Sequence, residues 1–337
     1  MFADDPLHPR ILLESASASI EINSTAAAAL LQLPRLVPQL PTRGAVVHLR
    51  FAQVVRKEAA LLALRGVLWG GLAKLPRRLG VHITAGDTPI TDEAVLVNGK
   101  LPRNVLYIVG LNMAAERCRF CYSFPLGPFP HIRGYGENNQ VHGVFEPPDE
   151  AAKAERVAML RAAASSERPH LLLVPRVGDV GRRGSRLQVL ESFEAAPYMF
   201  KRTSPRYSWV SWRVSSRKLP TAEYLRLMGE SSFVLSPDGS APDCFRHWEA
   251  MLAGAVPVVQ DSAVVRVLRR NHPGLPFLVL APRESDGRYD PPSDPAWWRA
   301  QLAELAPVLN ASAAEEKTSV LDAAYWRRFL GELNALV

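Results

Sequence analysis

The sequence predicts an α/β protein built as two successive domains. Three observations carry this. Short apolar runs of β type alternate with amphipathic helical patterns, the alternation occurs twice, and a stretch rich in Pro, Gly, Asn and His, Phe124 to Gly143, separates the two series. A chain of 337 residues has room for two cores. With 47% apolar and 22% charged residues, the composition is that of a globular protein rather than a disordered one.

The first series opens with a short helical pattern at Ala26 to Leu33, stopped by Pro34, Pro38 and Pro41. Ala45 to Leu49 reads as a strand. A long helical pattern follows from Phe51 to Leu75, interrupted at Gly66 and at Gly70-Gly71. Val81 to Thr84 is a short strand ending at Gly86-Asp87, and Val105 to Val109 is another, with Gly110 directly after it.

Glu150 to Ala164 is an amphipathic helix that opens the second series. Leu171 to Val174 is an apolar run suited to a strand buried on both faces. A glycine- and arginine-rich turn, Gly178 to Gly184, and a helical stretch, Arg186 to Glu194, come next. Thr221 caps a helix running to Gly229. Phe233 to Leu235 is a strand, Pro242 to Ala253 a helix with Gly254 in the C′ role, and Ala255 to Val259 a strand. Asp294 and Pro295 open a further helix as N-cap and N1, and Ser312 with Glu315 forms a capping box before the last one.

The net charge of +7 favours an anionic partner. The arginines are scattered, in short clusters such as Arg77-Arg78 and Arg269-Arg270, and no nucleic-acid-binding motif is present. A diphosphate-bearing small molecule accounts for the charge without a nucleic-acid partner. No run reaches the ~18 apolar residues of a membrane span, and no signal peptide or anchor is visible in this chain. Sequons at Asn23 and Asn310 permit a secretory compartment. Cys118 and Cys121 lack the second pair that zinc requires, so they read as a local disulfide or as two core thiols. No metal and no cofactor is expected.

The chemistry concentrates between Phe233 and Val259. An apolar strand ends at Ser236-Pro237, a turn follows with Gly239, where the backbone can approach a ligand, and a helix starts near Pro242 with Asp243 in its first turn. The amino end of that helix faces the carboxyl edge of the sheet, where α/β proteins bind ligands and where phosphate oxygens are stabilised. Phe245, Trp248 and Leu252 form the packing stripe. Arg246 and Glu249 share a neighbouring face: the carboxylate can accept from a ribose diol and the guanidinium can grip phosphate. The alternative is a plain ion pair within the helix, worth about 0.3–0.5 kcal/mol.

The segment resembles the C-terminal signature of the exostosin-like glycosyltransferases. The matching positions are Phe233, Leu235, Pro237, Gly239, then Asp243, Arg246, Glu249 and Ala250, then Gly254, Pro257 and Val258. Looser likeness covers Thr84 to Asp87, Phe124 to Gly127 and Leu171 to Arg186. The resemblance implies two Rossmann-like domains of GT-B type. Residues 1–148 would form the acceptor side, 149–310 the nucleotide-sugar-binding domain, and 311–337 a helix packing back on the domains. It implies an inverting transfer, without bound metal, from a UDP-sugar or similar nucleoside-diphosphate sugar to a glycan or glycoprotein. It also implies a Golgi or secretory location.

The donor set is then Ser236, Gly239, Asp243, Arg246 and Glu249, joined by Arg182 and Arg186 from the glycine-rich turn, although Arg182, Arg183 and Arg186 also fit a solvated basic turn. Asp87, directly after a strand, is the expected general base, with Glu116 and His131 as rivals; a turn-forming aspartate is the other reading. His131 and His142 flank a loop that could line the cleft or be polar surface. Trp209, Trp212, Trp297, Trp298 and Trp326 could stack on sugar rings, with core packing the more ordinary role. The alternative to an active enzyme is a sugar-nucleotide- or glycan-binding protein of the same fold.

Overall fold

Two runs of parallel strands divide the chain into two units. In a computed structural model of the chain the described residues are 16–22, 38, 40–41, 44–51, 57–84, 88–126, 150–165, 167–175, 188–189, 192–193, 210–213, 221–239, 241–314, 320–321 and 323–337. The amino-terminal unit comprises Leu7–Leu126, Ser262–Pro273 and Ala323–Val337; the carboxy-terminal unit comprises Met1–Pro6, Gly127–Asp261 and Gly274–Asp322. The fold is mixed α/β with parallel sheets.

The amino-terminal unit holds a five-stranded parallel sheet, ordered β1 (Ala18–Ile22), β2 (Gly44–Phe51), β3 (Arg78–Thr84), β5 (Val105–Leu111), β7 (Cys121–Phe124). A small two-stranded pair, β4 (Ile90–Thr91) and β6 (Met113–Ala114), accompanies it. Helix α1 (Lys57–Arg65) runs on into a π segment, Gly66–Gly71, and a 3₁₀ turn, Leu72–Lys74. The glycines expected to interrupt the helix instead mark a change of helix type. The short helix α2 (Asp92–Val95) follows β4.

The strands appear in the sheet in chain order. Right-handed crossovers that advance steadily in one direction place their helices on one face. Residues of alternate parity, among them Ile20, Val47, Leu49, Val81, Ile83 and Ile108, form a single apolar core with Leu64, Val67, Leu68 and Val95 from the connections. The opposite face therefore needs cover from elsewhere, because parallel sheets bury both faces. One row across it reads Ser19, His48, His82, Val109, Tyr122.

The last helix, α8 (Ala323–Asn334), supplies the cover. Trp326 packs edge-on against Phe124 at 5.0 Å and Phe329 against Tyr122 at 5.7 Å. Tyr107 Oη–H donates to Asn334 Oδ1. Gly44 lacks a side chain where a Cβ would run into the Val337 carbonyl. The polar residues of this face are paired among themselves: buried His48 lies 3.1 Å from Ser19 Oγ through Nδ1 and 3.1 Å from Thr84 Oγ1 through Nε2.

β7 ends the sheet, and an exposed strand edge invites unwanted pairing. Helix α6 (Ala263–Asn271) closes it. Arg270 donates to the carbonyls of Cys118 and Cys121, both at 3.1 Å, and Asn271 Oδ1 accepts the Ser123 N–H at 2.9 Å. His272 Nε2–H donates to the Ser123 carbonyl at 3.0 Å. Cys118 and Cys121 form a disulfide, the first of the two expected alternatives.

The carboxy-terminal unit has the strands β8 (His170–Pro175), β9 (Val210–Arg213), β10 (Ser231–Leu235), β11 (Val256–Gln260) and β12 (Leu278–Leu280). All are parallel, in the order β12-β11-β10-β8-β9. Here the winding reverses: β9 lies on one side of β8 and β10 on the other. The helices are α3 (Glu150–Ala163), α4 (Thr221–Gly229), α5 (Phe245–Leu252) and α7 (Pro295–Ala314). Gly229 lets α4 approach α3, since a Cβ there would meet the Ala163 carbonyl. Gly254 ends α5 at φ +72°, the C′ role expected of it. Asp294 caps α7 through the Ala296 N–H at 2.8 Å, also as expected. Ser312 lies inside α7, so it does not open the last helix, which begins at Ala323.

Among the described residues no helix is long and apolar enough to cross a membrane. No group of His, Cys, Asp and Glu among them is arranged to hold a metal ion.

Candidate functional site

In an open parallel sheet, loops diverge at the carboxyl edge where the winding reverses, and the crevice they leave is where ligands bind. In the carboxy-terminal unit that point lies between β8 and β10. The segment leaving β10, residues 236–244, leads directly into α5. The chain leaving β8 at Pro175 continues toward Arg182, Arg183 and Arg186, which lie outside the described residues. So do the candidate base Asp87, its rival His131, and His142 and Trp209.

Segment 236–244 is held by buried side chains along its length. The Ser236 N–H extends the ladder to the Val258 carbonyl at 2.8 Å. The Asp238 N–H donates to Gln260 Oε1 at 2.8 Å, and Gln260 Nε2–H donates to Tyr289 Oη at 3.0 Å. The Gly239 N–H donates to the Ala241 carbonyl at 2.8 Å. Helix α5 begins at Phe245 rather than near Pro242, with Cys244 as an extended N-cap residue whose side chain makes no capping hydrogen bond. Asp243 therefore precedes the helix instead of lying in its first turn. It is 1% exposed, and its Oδ1 accepts the indole N–H of Trp248 at 2.8 Å.

His247 joins the two ends of the segment. Its Nε2 lies 3.0 Å from the Pro242 carbonyl, which can only accept, so Nε2 carries a proton. Its Nδ1 lies 2.7 Å from Ser236 Oγ and 3.5 Å from Cys244 Sγ, and Ser236 Oγ is 3.4 Å from the same sulfur. Burial opposes charge on both groups, yet each favours the charged form of the other. The Cys244 thiol is drawn down from its ordinary value and the His247 imidazole up from its own. Cys244, His247 and the Ser236 hydroxyl thus form one hydrogen-bonded cluster at the amino end of α5.

Arg246 and Glu249 stand three apart on α5. Arg246 is half-buried and Glu249 is buried. Ser236, Gly239, Asp243, Arg246 and Glu249 thus come from one strand end, one loop and the opening turns of one helix. Sequence reasoning missed His247 and Gln260. The available signals were a histidine three positions after Cys244 on a helix packed against the sheet, and a glutamine ending an otherwise apolar strand.

Other candidates make contacts elsewhere in the chain. Glu116, the remaining rival for the base, is paired with Arg266 at 2.6 Å in the amino-terminal unit; the hydrogen bond from Arg266 holds its carboxyl below the usual range. Trp298 and Trp326 are fully buried core residues, while Trp297 is half-buried and packs edge-on against Trp298 at 5.3 Å.

No curated protein sequence matches the chain. Among solved structures it is similar to Spinosyn Forosaminyltransferase SpnP, at 12% identity over 86% of this chain and 76% of that one, with a TM-score of 0.35, too low to show a shared fold. Residues 156–281, which run from α3 through β12, match the family model of the RXYLT1 C-terminal domain. Over that stretch the chain is similar to an exostosin-like family domain, in agreement with the resemblance carried by the 233–262 signature.

Proposed function

We propose that the chain is a glycosyltransferase that moves a sugar from a nucleoside-diphosphate sugar, a UDP-sugar in the first instance, to a hydroxyl of a glycan or glycoprotein. The observation that carries the reading is the 236–249 segment: a pre-formed loop at the winding reversal of a parallel sheet, followed by a helix bearing a buried carboxylate and an arginine, inside the stretch that matches the RXYLT1 C-terminal domain. Glu249 accepts the ribose hydroxyls, and Arg246 with Arg182 and Arg186 balances the diphosphate. Ser236, Gly239 and Asp243 shape the loop against it. The architecture is two Rossmann-like domains of GT-B type, with the acceptor side in residues 1–148, the donor side in 149–310 and the final helix packing back on them.

The reaction is an inverting displacement. Asp87 takes the acceptor hydroxyl proton, the freed oxygen attacks the anomeric carbon, and the bond to the leaving oxygen breaks with its electron pair on the diphosphate. The arginines stabilise that developing charge. No metal or cofactor takes part. A Golgi or secretory location agrees with the disulfide, since such bonds persist in oxidising compartments.

The test is release of nucleoside diphosphate from a panel of nucleotide sugars, with and without glycan acceptors. Acceptor-dependent release supports a transferase. Binding without release under any acceptor supports the second reading, a sugar-nucleotide- or glycan-binding protein of the same fold.

A further inference from the structure

A buried helical position next to a sheet is ordinarily filled by an apolar side chain, because burying an imidazole without partners carries a penalty. Position 247 is 1% exposed and packs edge-on against Phe277 at 5.6 Å, yet it is a histidine. Both of its nitrogens are engaged, and by the two ends of one loop: Nδ1 by Ser236 Oγ, where the chain leaves β10, and Nε2 by the Pro242 carbonyl, where it turns into α5. Cys244, at the N-cap, touches the same ring nitrogen and the same hydroxyl. A phenyl ring would fill the space and satisfy none of these groups.

We propose that His247 is the positioning residue of the donor loop, holding Ser236 and Pro242 at the separation in which segment 236–244 receives the diphosphate of the donor. This rests on the donor reading of the segment. A loop fixed in advance has less freedom to lose on binding, so the ring acts on donor affinity although it touches no donor atom. Gln260, which grips the Asp238 N–H, fixes the middle of the same loop from β11.

The experiment titrates UDP into the full-length wild type, His247→Phe, His247→Gln and Ser236→Ala by calorimetry, with melting curves alongside. His247→Phe is expected to stay folded and to bind at least about tenfold more weakly, a difference of about 1.4 kcal/mol. His247→Gln, whose amide N–H reaches toward the Pro242 carbonyl, recovers part of the affinity, and a residue with only a packing role would not show that rescue. Ser236→Ala removes one partner and leaves the ring, so it weakens binding in the same direction even where His247→Phe fails to fold. Wild-type affinity in a folded His247→Phe, or in Ser236→Ala where the former does not fold, overturns the proposal alone. A folded wild type that binds neither UDP nor any other nucleoside diphosphate removes the donor reading and the proposal together.

Discussion

His272 makes the stability of the amino-terminal unit depend on pH in a window that can be stated in advance. Its ring is fully buried, with Nε2–H donating to the Ser123 carbonyl and Nδ1 accepting from Tyr325 Oη at 2.9 Å. It packs edge-on against Trp326 at 4.4 Å and Phe329 at 5.0 Å. Both nitrogens are satisfied in the neutral form, and a second proton would meet the tyrosine hydroxyl. Burial therefore pushes the imidazole down from 6.5 to about 4, against the opposing pull of the Ser123 carbonyl. Between those values the unfolded chain binds a proton that the folded chain does not. The contribution is complete above 6.5 and is lost as pH falls toward 4. At ~1.4 kcal/mol per pH unit, a gap of about 2.5 units amounts to about 3 kcal/mol. The perturbation is His272→Gln, which can keep the bond to Ser123 but cannot titrate. The assay is native-state hydrogen exchange of the 323–337 amides at several pH values between 4 and 7.5. The wild type should lose protection more steeply than the variant, by about 1.4 kcal/mol per pH unit within the window. His48, also lowered to about 4, titrates in both proteins and drops out of the difference. Parallel curves would refute the reasoning.

Two further outcomes test the environment of the candidate site. Asp243→Ala leaves a buried indole N–H without its partner and should cost about 1–3 kcal/mol in urea unfolding, while Asp243→Asn, which keeps an amide oxygen for Trp248, should cost less; equal losses would mean that the hydrogen bond is not what Asp243 contributes. Cys244 is the one free thiol among three cysteines, so a single iodoacetamide adduct by intact mass reports on it. Its alkylation rate should rise with a midpoint below that of an ordinary thiol in wild type and at higher pH in His247→Phe, and UDP should slow it. A midpoint near that of an ordinary thiol would deny the pairing with His247.

What could be read from the sequence, and what could not, follows from the range of the interactions. β8, β10 and β11 are short apolar runs because both their faces are buried, and such runs are visible without a structure. Gly254 and Asp294 end and begin helices through chemistry confined to a few neighbours, and both were legible. β1 and β9 were not read: Ala18–Ile22 alternates small and polar residues with apolar ones, and Val210–Arg213 places serine and arginine within four residues. On the face that carries His48, His82 and Tyr107, Tyr107 and Phe124 are covered by α8, more than two hundred residues later than Tyr107. No local pattern announces that. At the site, Pro242 and Asp243 fit a first helical turn by type, yet α5 starts at Phe245, three residues after Pro242. Trp248 instead draws Asp243 into a hydrogen bond ahead of the helix.

The central claim is that Glu249 and the loop before it bind a nucleotide. The direct test is a thermal-shift and calorimetric titration of UDP and UDP-sugars into the wild type and Glu249→Gln. At a hundredfold excess over Kd, a bound nucleotide should add about 2.7 kcal/mol to wild-type stability. Losing a charge-assisted hydrogen bond to ribose should weaken binding by about 2 kcal/mol, or about thirtyfold, in a variant that remains folded. A folded wild type that no nucleotide stabilises, or a Glu249→Gln variant that binds as tightly as the wild type, would contradict the account.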